Sequence, residues 1–475
     1  MSEVPKKNPD SQNKPTPYPD FLNRVKETPN DDFEKAIEQR TNAISTSNEV
    51  QLLSTGPDAF KQLEQEIQQA KTSIDINMFS WADDATGLRM AKLILDAANK
   101  NPNLKITIRL DKLGTLLIGG KNKLKEKENS LLYKAEVASI FLEPQFNLLT
   151  LRKLKSLQAD PNSLHSWTFE EKTQLNEFVK RIATNELLME VNPVVKMLSG
   201  KNNIKLIVEE NSLATIDHSK VFVFDDKTAY SGGMNIGDEY SGGYDEKAGW
   251  NGKEGKYWKD YMMKMTGPAS TIHKHHFFPE QTATGDKLLS SPTHSRTMVL
   301  HNEGGPPPQN PDEYAKRKQI SYAAGYLIEH AQKKLDIEHA YIMSDFVVQK
   351  LKEAAARGVK ITILRSQPES TGHEASNQKY FSKLAGVPNI NILPHHTITH
   401  TKLMIADDNY SLIGSANLTQ ESLDYHEEAG ILVIGDSPFQ KQVKAQFERS
   451  LQYAKQRAGI TAATVQKAKD QTLLA

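Results

Sequence analysis

From Val50 onward the apolar positions fall into helical and strand-like runs that follow one another in a fixed order. In AFKQLEQEIQQAKTSIDINMF, Phe60, Leu63 and Ile67 recur at helical spacing, and a strand follows at Ser73–Phe79. SWADDATG reads as a loop, LRMAKLILDAANK as a second helix and LKITIRLD as a second strand. The same series returns toward the C-terminus. YAAGYLIEHAQKKLDIEHAYI predicts helix then strand, FVVQKLKEAAARG a helix stopped by Gly358, and VKITILRS a strand. The letters of Lys105–Ile108 are repeated at Lys360–Ile363, at the same place in the series. A β-α-β order written twice predicts an α/β fold with largely parallel strands, made of two related halves.

The halves differ in length. The stretch from Lys105 to His218 is far longer than its counterpart from Lys360 to His400. The first half therefore carries an insertion within 113–202, rich in Leu, Lys and Glu and helical in character. The predicted organisation is a polar, partly disordered N-terminal arm over 1–48, with helical character after residue 21, and a first half over 49–300. A Pro/Gly hinge over 301–316 follows, then a second half over 317–455 and a polar tail over 456–475.

The chain has 475 residues, 59 Lys+Arg against 59 Asp+Glu, and no cysteine. Zero net charge argues against a non-specific nucleic-acid coat but leaves room for a local basic groove. The missing cysteine removes disulfides, thiolate zinc sites and cysteine nucleophiles. No apolar stretch reaches the ~18–20 residues that span a bilayer, and MSEVPKKNPDSQNKPTPYPD lacks the apolar core of a Sec signal peptide. The sequence therefore predicts a cytoplasmic or peripheral membrane location, with export by a dedicated secretion system left open.

Two segments align without a gap. HSKVFVFDDKTAYSGGMN runs from His218 to Asn235, and HTKLMIADDNYSLIGSAN from His400 to Asn417. Both read H-x-K-x4-D-x6-G-[GS]-x-N, and each closes the same β-α-β series. His and Lys two apart on a strand project to one face, so each copy offers one imidazole and one ammonium side by side.

This doubled His-Lys-Asp pattern resembles the phospholipase D superfamily, and the resemblance covers about Val50 to Gln452. It implies two α-β-α halves related by a pseudo-two-fold axis, with one active site at their interface. It also implies that His218 is a nucleophile forming a phosphohistidine, and that His400 is the general acid and then base. Lys220 and Lys402 would neutralise the phosphate oxygens, with Asn235, Asn417, Ser415 and Gly233 around them. With those donors in place no metal and no cofactor is expected. Family members place a glutamate on the strand after G-S-x-N, which points to Glu428 downstream of His400. In the first half WKDYMMKMTG is the equivalent strand and makes Asp260 the counterpart. It lies further from its motif because the Gly-rich stretch SGGYDEKAGWNGKEGK intervenes. Asp225 and Asp407 complete the catalytic motif, although at the end of their strands they are placed to brace a loop. GGMNIGDEY and WKDYMMKMTGP resemble the cardiolipin-synthase-like branch. The implied substrate is a glycerophospholipid at a membrane surface, either hydrolysed to phosphatidic acid or transferred to an alcohol, including cardiolipin-type synthesis. The alternative is a nuclease, since the superfamily cleaves nucleic acid phosphodiesters with the same residues.

Other features carry less. His273, His275 and His276 in HKHH lack a carboxylate partner at metal spacing and read as a solvated turn or helix start. His395 and His396 read as a loop edge beside the second motif. Tyr341 and Asp84 lie where strand ends face a site. Lys121, Lys123, Lys125 and Lys127 read as a solvated face. Trp81, Trp250 and Trp258 read as packing residues.

Overall fold

The computed structural model describes residues 18–112, 114–115, 188–189, 192–209, 215–242, 244–245, 249–250, 257–281, 294–366, 374–395 and 398–457. Most of the predicted insertion, the lysine run at 121–127, the segment 1–17, His396 and the tail beyond 457 lie outside them.

The apolar runs become a single sheet of fourteen strands. In chain order these are β1 (Ser45–Leu53), β2 (Ser73–Met78), β3 (Lys105–Asp111), β4 (Ile204–Glu209), β5 (Lys220–Phe224), β6 (Thr228–Gly232), β7 (Met262–Thr266), β8 (Ser295–Asn302), β9 (Lys334–His339), β10 (Lys360–Arg365), β11 (Ile390–Pro394), β12 (Lys402–Ala406), β13 (Tyr410–Gly414) and β14 (Glu428–Ile434). Their spatial order is β11-β10-β9-β12-β13-β14-β8-β1-β7-β6-β5-β2-β3-β4. Seven strands on each side of the β8–β1 seam repeat the same connections. Each half carries parallel pairs at its outer edge, β2 with β3 and β3 with β4, and β9 with β10 and β10 with β11. Each motif strand, β5 or β12, lies antiparallel to the first of these.

The longer helices are α1 (Tyr18–Val25), α2 (Asp32–Thr41), α3 (Gly56–Gln69), α4 (Ala85–Lys100), α5 (Pro193–Leu198), α6 (Pro268–Phe277), α7 (Pro311–Arg317), α8 (Gln319–His330), α9 (Asp345–Ala356), α10 (Glu374–Leu384) and α11 (Pro438–Arg457). Leu63 and Ile67 of α3 and Met90 and Ile94 of α4 share the first-half core with Phe222 and Phe224 of β5. Leu327 of α8 and Leu351 of α9 share the second with Met404 and Leu412. On the other sheet face, Val221, Val223, Leu403 and Ile405 join α1, α6 and α11 in one layer running under both halves. The alternation along each motif strand thus fills two cores at once.

Two predicted boundaries move. Residues 18–48 form α1, α2 and the start of β1, whose Ser45–Asn48 pair with β8 while Glu49–Leu53 pair with β7. The arm therefore ends inside the sheet, because β1 is the strand that joins the halves. The second half begins at β8, not at 317: β8 pairs with β14 as β1 pairs with β7. The Pro/Gly stretch connects β8 to α7 within that half, and buried Lys318 holds it by donating to the carbonyls of Glu303 and Gly305.

Candidate active site

The motif geometry starts with close strand approach. A Cβ on Gly232 would lie 2.2 Å from the Tyr261 carbonyl oxygen, and one on Gly414 2.4 Å from that of Ala429. The glycine that opens each G-[GS]-x-N run lets the carboxylate-bearing strand pack beside it.

The two halves then exchange contacts. Glu427 N donates to Ile216 O at 3.0 Å and His218 N donates to Glu427 O at 2.9 Å. In the mirrored place Lys259 N donates to Ile398 O at 2.8 Å and His400 N to Lys259 O at 2.7 Å. Each histidine is thus fixed by the residue preceding a carboxylate of the opposite half, and that carboxylate holds its ring. His218 Nδ1 lies 3.0 and 3.1 Å from the two Glu428 oxygens, and His400 Nδ1 lies 2.7 Å from Asp260 Oδ2. The sequence numbering pairs each carboxylate with the histidine of its own half; the fold crosses them.

Lys220 donates to the His218 carbonyl, and Lys402 to the His400 carbonyl. Lys402 Nζ also stands 2.8 Å from His400 Nδ1 and 3.1 Å from Nε2. All six groups are buried. Both lysines act electrostatically on both histidines.

The two carboxylates differ in their hydrogen-bond donors. Glu428 accepts from the hydroxyls of Ser415 and Ser422. Burial alone would raise its pKa, but His218, Lys220 and His426 outweigh that and hold it at about 2. Asp260 accepts from Tyr261 N at 2.8 Å and faces Gly233 where its counterpart faces Ser415. Burial pushes Asp260 up to about 7 despite Lys402 and Lys220. Burial also lowers His218 to about 4 and His400 well below its ordinary value, with Lys402 adding to the latter. It lowers Lys220 to about 7 and Lys402 to about 8.

Several expected roles change. Ser415, expected at the phosphate, donates to Glu428 and accepts from Ala429 N at 3.0 Å. Gly233, also expected at the phosphate, lies against Asp260 instead: a Cβ there would sit 2.4 and 2.5 Å from the Asp260 oxygens. Asp225 and Asp407 stand at the far ends of β5 and β12. Asp225 accepts from the backbone of Lys71, Thr72 and Ser73, and Asp407 from that of Gln332, Lys333 and Lys334. They brace turns and do not reach the cluster. Asn235 donates to Tyr240 OH at 3.0 Å, while its Oδ1 and that of Asn417 are buried without a partner.

Aromatic rings enclose the pair unevenly. Phe79 lies 4.8 Å from His218, centroid to centroid, whereas Trp258, Tyr240 and Tyr341 lie 5.0, 5.6 and 6.0 Å from His400. Trp81 is core, and the side chain of Trp250 lies outside the described residues. Asp84 caps α4 and accepts from Asp238 N. His273, His275 and His276 lie within α6, where His273 Nδ1 stands 3.1 Å from His301 Nε2 and His276 stacks on the same ring. Among the described residues no group of three His, Cys, Asp or Glu side chains is arranged to hold a metal. His395 is buried 3.2 Å from Glu338, which also binds Lys259. Sequence reasoning missed Ser422, whose only signal was its place between G-S-x-N and Glu428, and the backbone roles of Lys259 and Glu427.

Residues 326–451 match the family described as "Cardiolipin synthase, PLD-like domain". An uncharacterized protein of Streptococcus mutans is 28% identical over 265 residues, covering 54% of each chain. Cardiolipin synthase 1 of Staphylococcus epidermidis is 25% identical over 263 residues, covering 50% of this chain and 48% of that one. The chain spans about half the length of the curated relatives it matches. In three dimensions, phosphatidylserine synthase of Haemophilus influenzae superposes with a TM-score of 0.52 at 16% identity, over 90% of this chain and 91% of that one. The paired halves and doubled motif define a phospholipase D fold. Residues 326–451 are thus similar to the phospholipase-D-like domain of cardiolipin synthases, and the fold as a whole is similar to that of the phosphatidylserine synthase.

Proposed function

We propose that the chain is a phosphatidyltransferase and phosphodiesterase acting on glycerophospholipids through a phosphohistidine on His218. The observation that carries this reading is the difference between the two imidazole–carboxylate pairs. An ionised Glu428 accepts the Nδ1 proton of His218 and leaves a lone pair on Nε2, the form a nucleophile needs. Asp260, held near neutrality, can keep a proton and donate it to His400 Nδ1, which leaves a proton on Nε2, the form a general acid needs.

The steps balance. His218 Nε2 attacks phosphorus, the bond to the head-group oxygen breaks, and His400 Nε2 gives that oxygen its proton. An incoming alcohol or water then returns a proton to His400, bonds to phosphorus and expels His218. Lys220 and Lys402 offset the charge on the non-bridging oxygens in both steps, and Asn235 and Asn417, the last residues of the two motifs, are proposed to assist them. The cardiolipin and phosphatidylserine synthase likenesses favour transfer between lipid alcohols over plain hydrolysis. Among the described residues no helix is long and apolar enough to cross a membrane. The substrate is therefore proposed to be met at a membrane surface.

The test is purified protein on phosphatidylglycerol, phosphatidylethanolamine and phosphatidylcholine vesicles, with and without ethanol, read by lipid mass spectrometry. The expected result is a phosphatidylethanol product, and cardiolipin from phosphatidylglycerol alone. Absence of any lipid product, with cleavage of a single-stranded oligonucleotide in parallel, would overturn the lipid reading in favour of a nuclease.

A further inference from the structure

The two catalytic-motif lysines have different neighbours. On the adjacent strand, Lys220 is register-paired with Met78 and Lys402 with His339. His339 is 2% exposed. Its ring is hydrogen-bonded to the Tyr341 backbone, a link that raises the ring's proton affinity and so marks the ring as the donor there. Nδ1 is buried with no partner in the protein. A neutral imidazole that donates from one nitrogen must accept at the other. Burial and the Lys402 charge lower His339 to about 3, so it is neutral at physiological pH.

His339 and Lys402 line the same cavity between β12 and α8. Its other walls include Ile320, Ala324, Met404, Leu412, Leu418 and Leu423, and every lining side chain except His339 and Lys402 is apolar. The room for the centre of a water molecule is about 20 Å³. A water needs roughly 10–15 Å³ by that measure, together with two or more polar partners. Its two polar side chains are a lysine, whose ammonium can only donate, and a histidine whose Nδ1 has no partner in the protein.

We propose that His339 is a positioning residue for Lys402: one buried water accepts from the Lys402 ammonium and donates to His339 Nδ1, tethering this lysine beneath the phosphate site. Lys220, facing a thioether, has no such tether. The lysine beside the proposed general acid therefore keeps its place and its proton while the phosphate comes and goes. The inference rests on the reading of Lys402 as a phosphate-binding group, but it can be tested without turnover.

The experiment combines a high-resolution crystal structure of the full chain with competitive amine labelling across pH, quantified at Lys402 by mass spectrometry. His339→Met copies the first half and removes the acceptor. His339→Asn keeps an acceptor oxygen. The expected results are a water within hydrogen-bond distance of both His339 Nδ1 and Lys402 Nζ, and a Lys402 titration lowered by about one pH unit in His339→Met. His339→Asn should titrate like the unchanged protein. A cavity without that water, or a His339→Met protein whose Lys402 titrates unchanged, overturns the proposal. An equal shift in both variants also overturns it, since loss of packing would then be the cause. If these results hold while the vesicles give no lipid product, the substrate assignment falls and the tether stands.

Discussion

His218 and Glu428 are 210 positions apart and lie in opposite halves, yet the imidazole Nδ1 stands 3.0 Å from the carboxylate. With the reciprocal His400–Asp260 pair, this makes each half the keeper of the other's imidazole.

The crossing gives a coupling that own-half pairing would not. Glu428→Gln should lower turnover on the order of 10³- to 10⁴-fold, by leaving His218 in the wrong tautomer. Combining it with His218→Ala should cost nothing further, whereas combining it with the milder Asp260→Asn should still add a loss. Glu427→Gln should be mild, because Glu427 holds His218 through its main chain. Lipid-product rates for the single and double variants check this, and equal effects at Glu427 and Glu428 would refute the register.

The small residues facing the carboxylates make a second, asymmetric pair. Gly233→Ala must displace the Asp260 carboxylate, so most turnover should vanish while the protein stays folded by circular dichroism. Ser415→Ala removes only a donor to Glu428. It should raise the Glu428 pKa, with a smaller loss of turnover at neutral pH than Gly233→Ala. A Gly233→Ala protein as active as the unchanged one would show that Asp260 does not support His400.

The pH profile follows from burial. Free protein needs His218 neutral, hence a pH above about 4. It needs both lysines charged and Asp260 protonated, hence a pH below about 7 to 8. kcat/KM should therefore rise through the first value and fall through the second. The alkaline limb of kcat should lie higher, since a bound phosphodiester anion favours the ammonium forms. Lys220→Arg should make the limb near pH 7 shallower while lowering the rate, because a guanidinium keeps its charge and leaves Asp260 as the group titrating there.

Asp225 and Asp407 should behave as stability residues. Asp225 lies at φ 52° and Asp407 also at φ 52°, a region asparagine tolerates, so Asp→Asn weakens the acceptor without forcing the turn. Each change should cost about 1–3 kcal/mol of stability and leave turnover per folded molecule near that of the unchanged protein. The Asp225 carboxyl is held below its ordinary pKa, burial being outweighed by the Thr72, Ser73 and Lys71 hydrogen bonds. Its contribution is therefore present above the unfolded carboxyl's pKa and is lost as pH falls through the lower folded value. Urea melts taken from neutral pH down into the acid range should show the Asp225→Asn and unchanged proteins converging at the acid end.

The duplicated apolar series and the repeated H-x-K pattern made the two halves and the histidines legible, because period and spacing are local properties. Strand ends such as Ser73–Met78 and Lys105–Asp111 fell where the apolar runs ended. What stayed hidden depends on the meeting of distant segments. No spacing shows that β8 belongs with β14, since only their pairing in the folded sheet places Asn302 opposite Glu428. Nor does the sequence reveal that Ser415 serves a carboxylate, or that His339, with an unpartnered Nδ1, lines the same cavity as Lys402. Each of those is a matter of which side chain fills the space left by another.

The exchanged carboxylates also set an order in time. During synthesis His218 emerges long before Glu428, and the first half, even if folded, holds an imidazole with no group to orient it. His218 thus lacks its carboxylate until β14 has left the ribosome and closed on the seam. On the proposed reading, phosphodiester chemistry therefore begins only once both halves are in place.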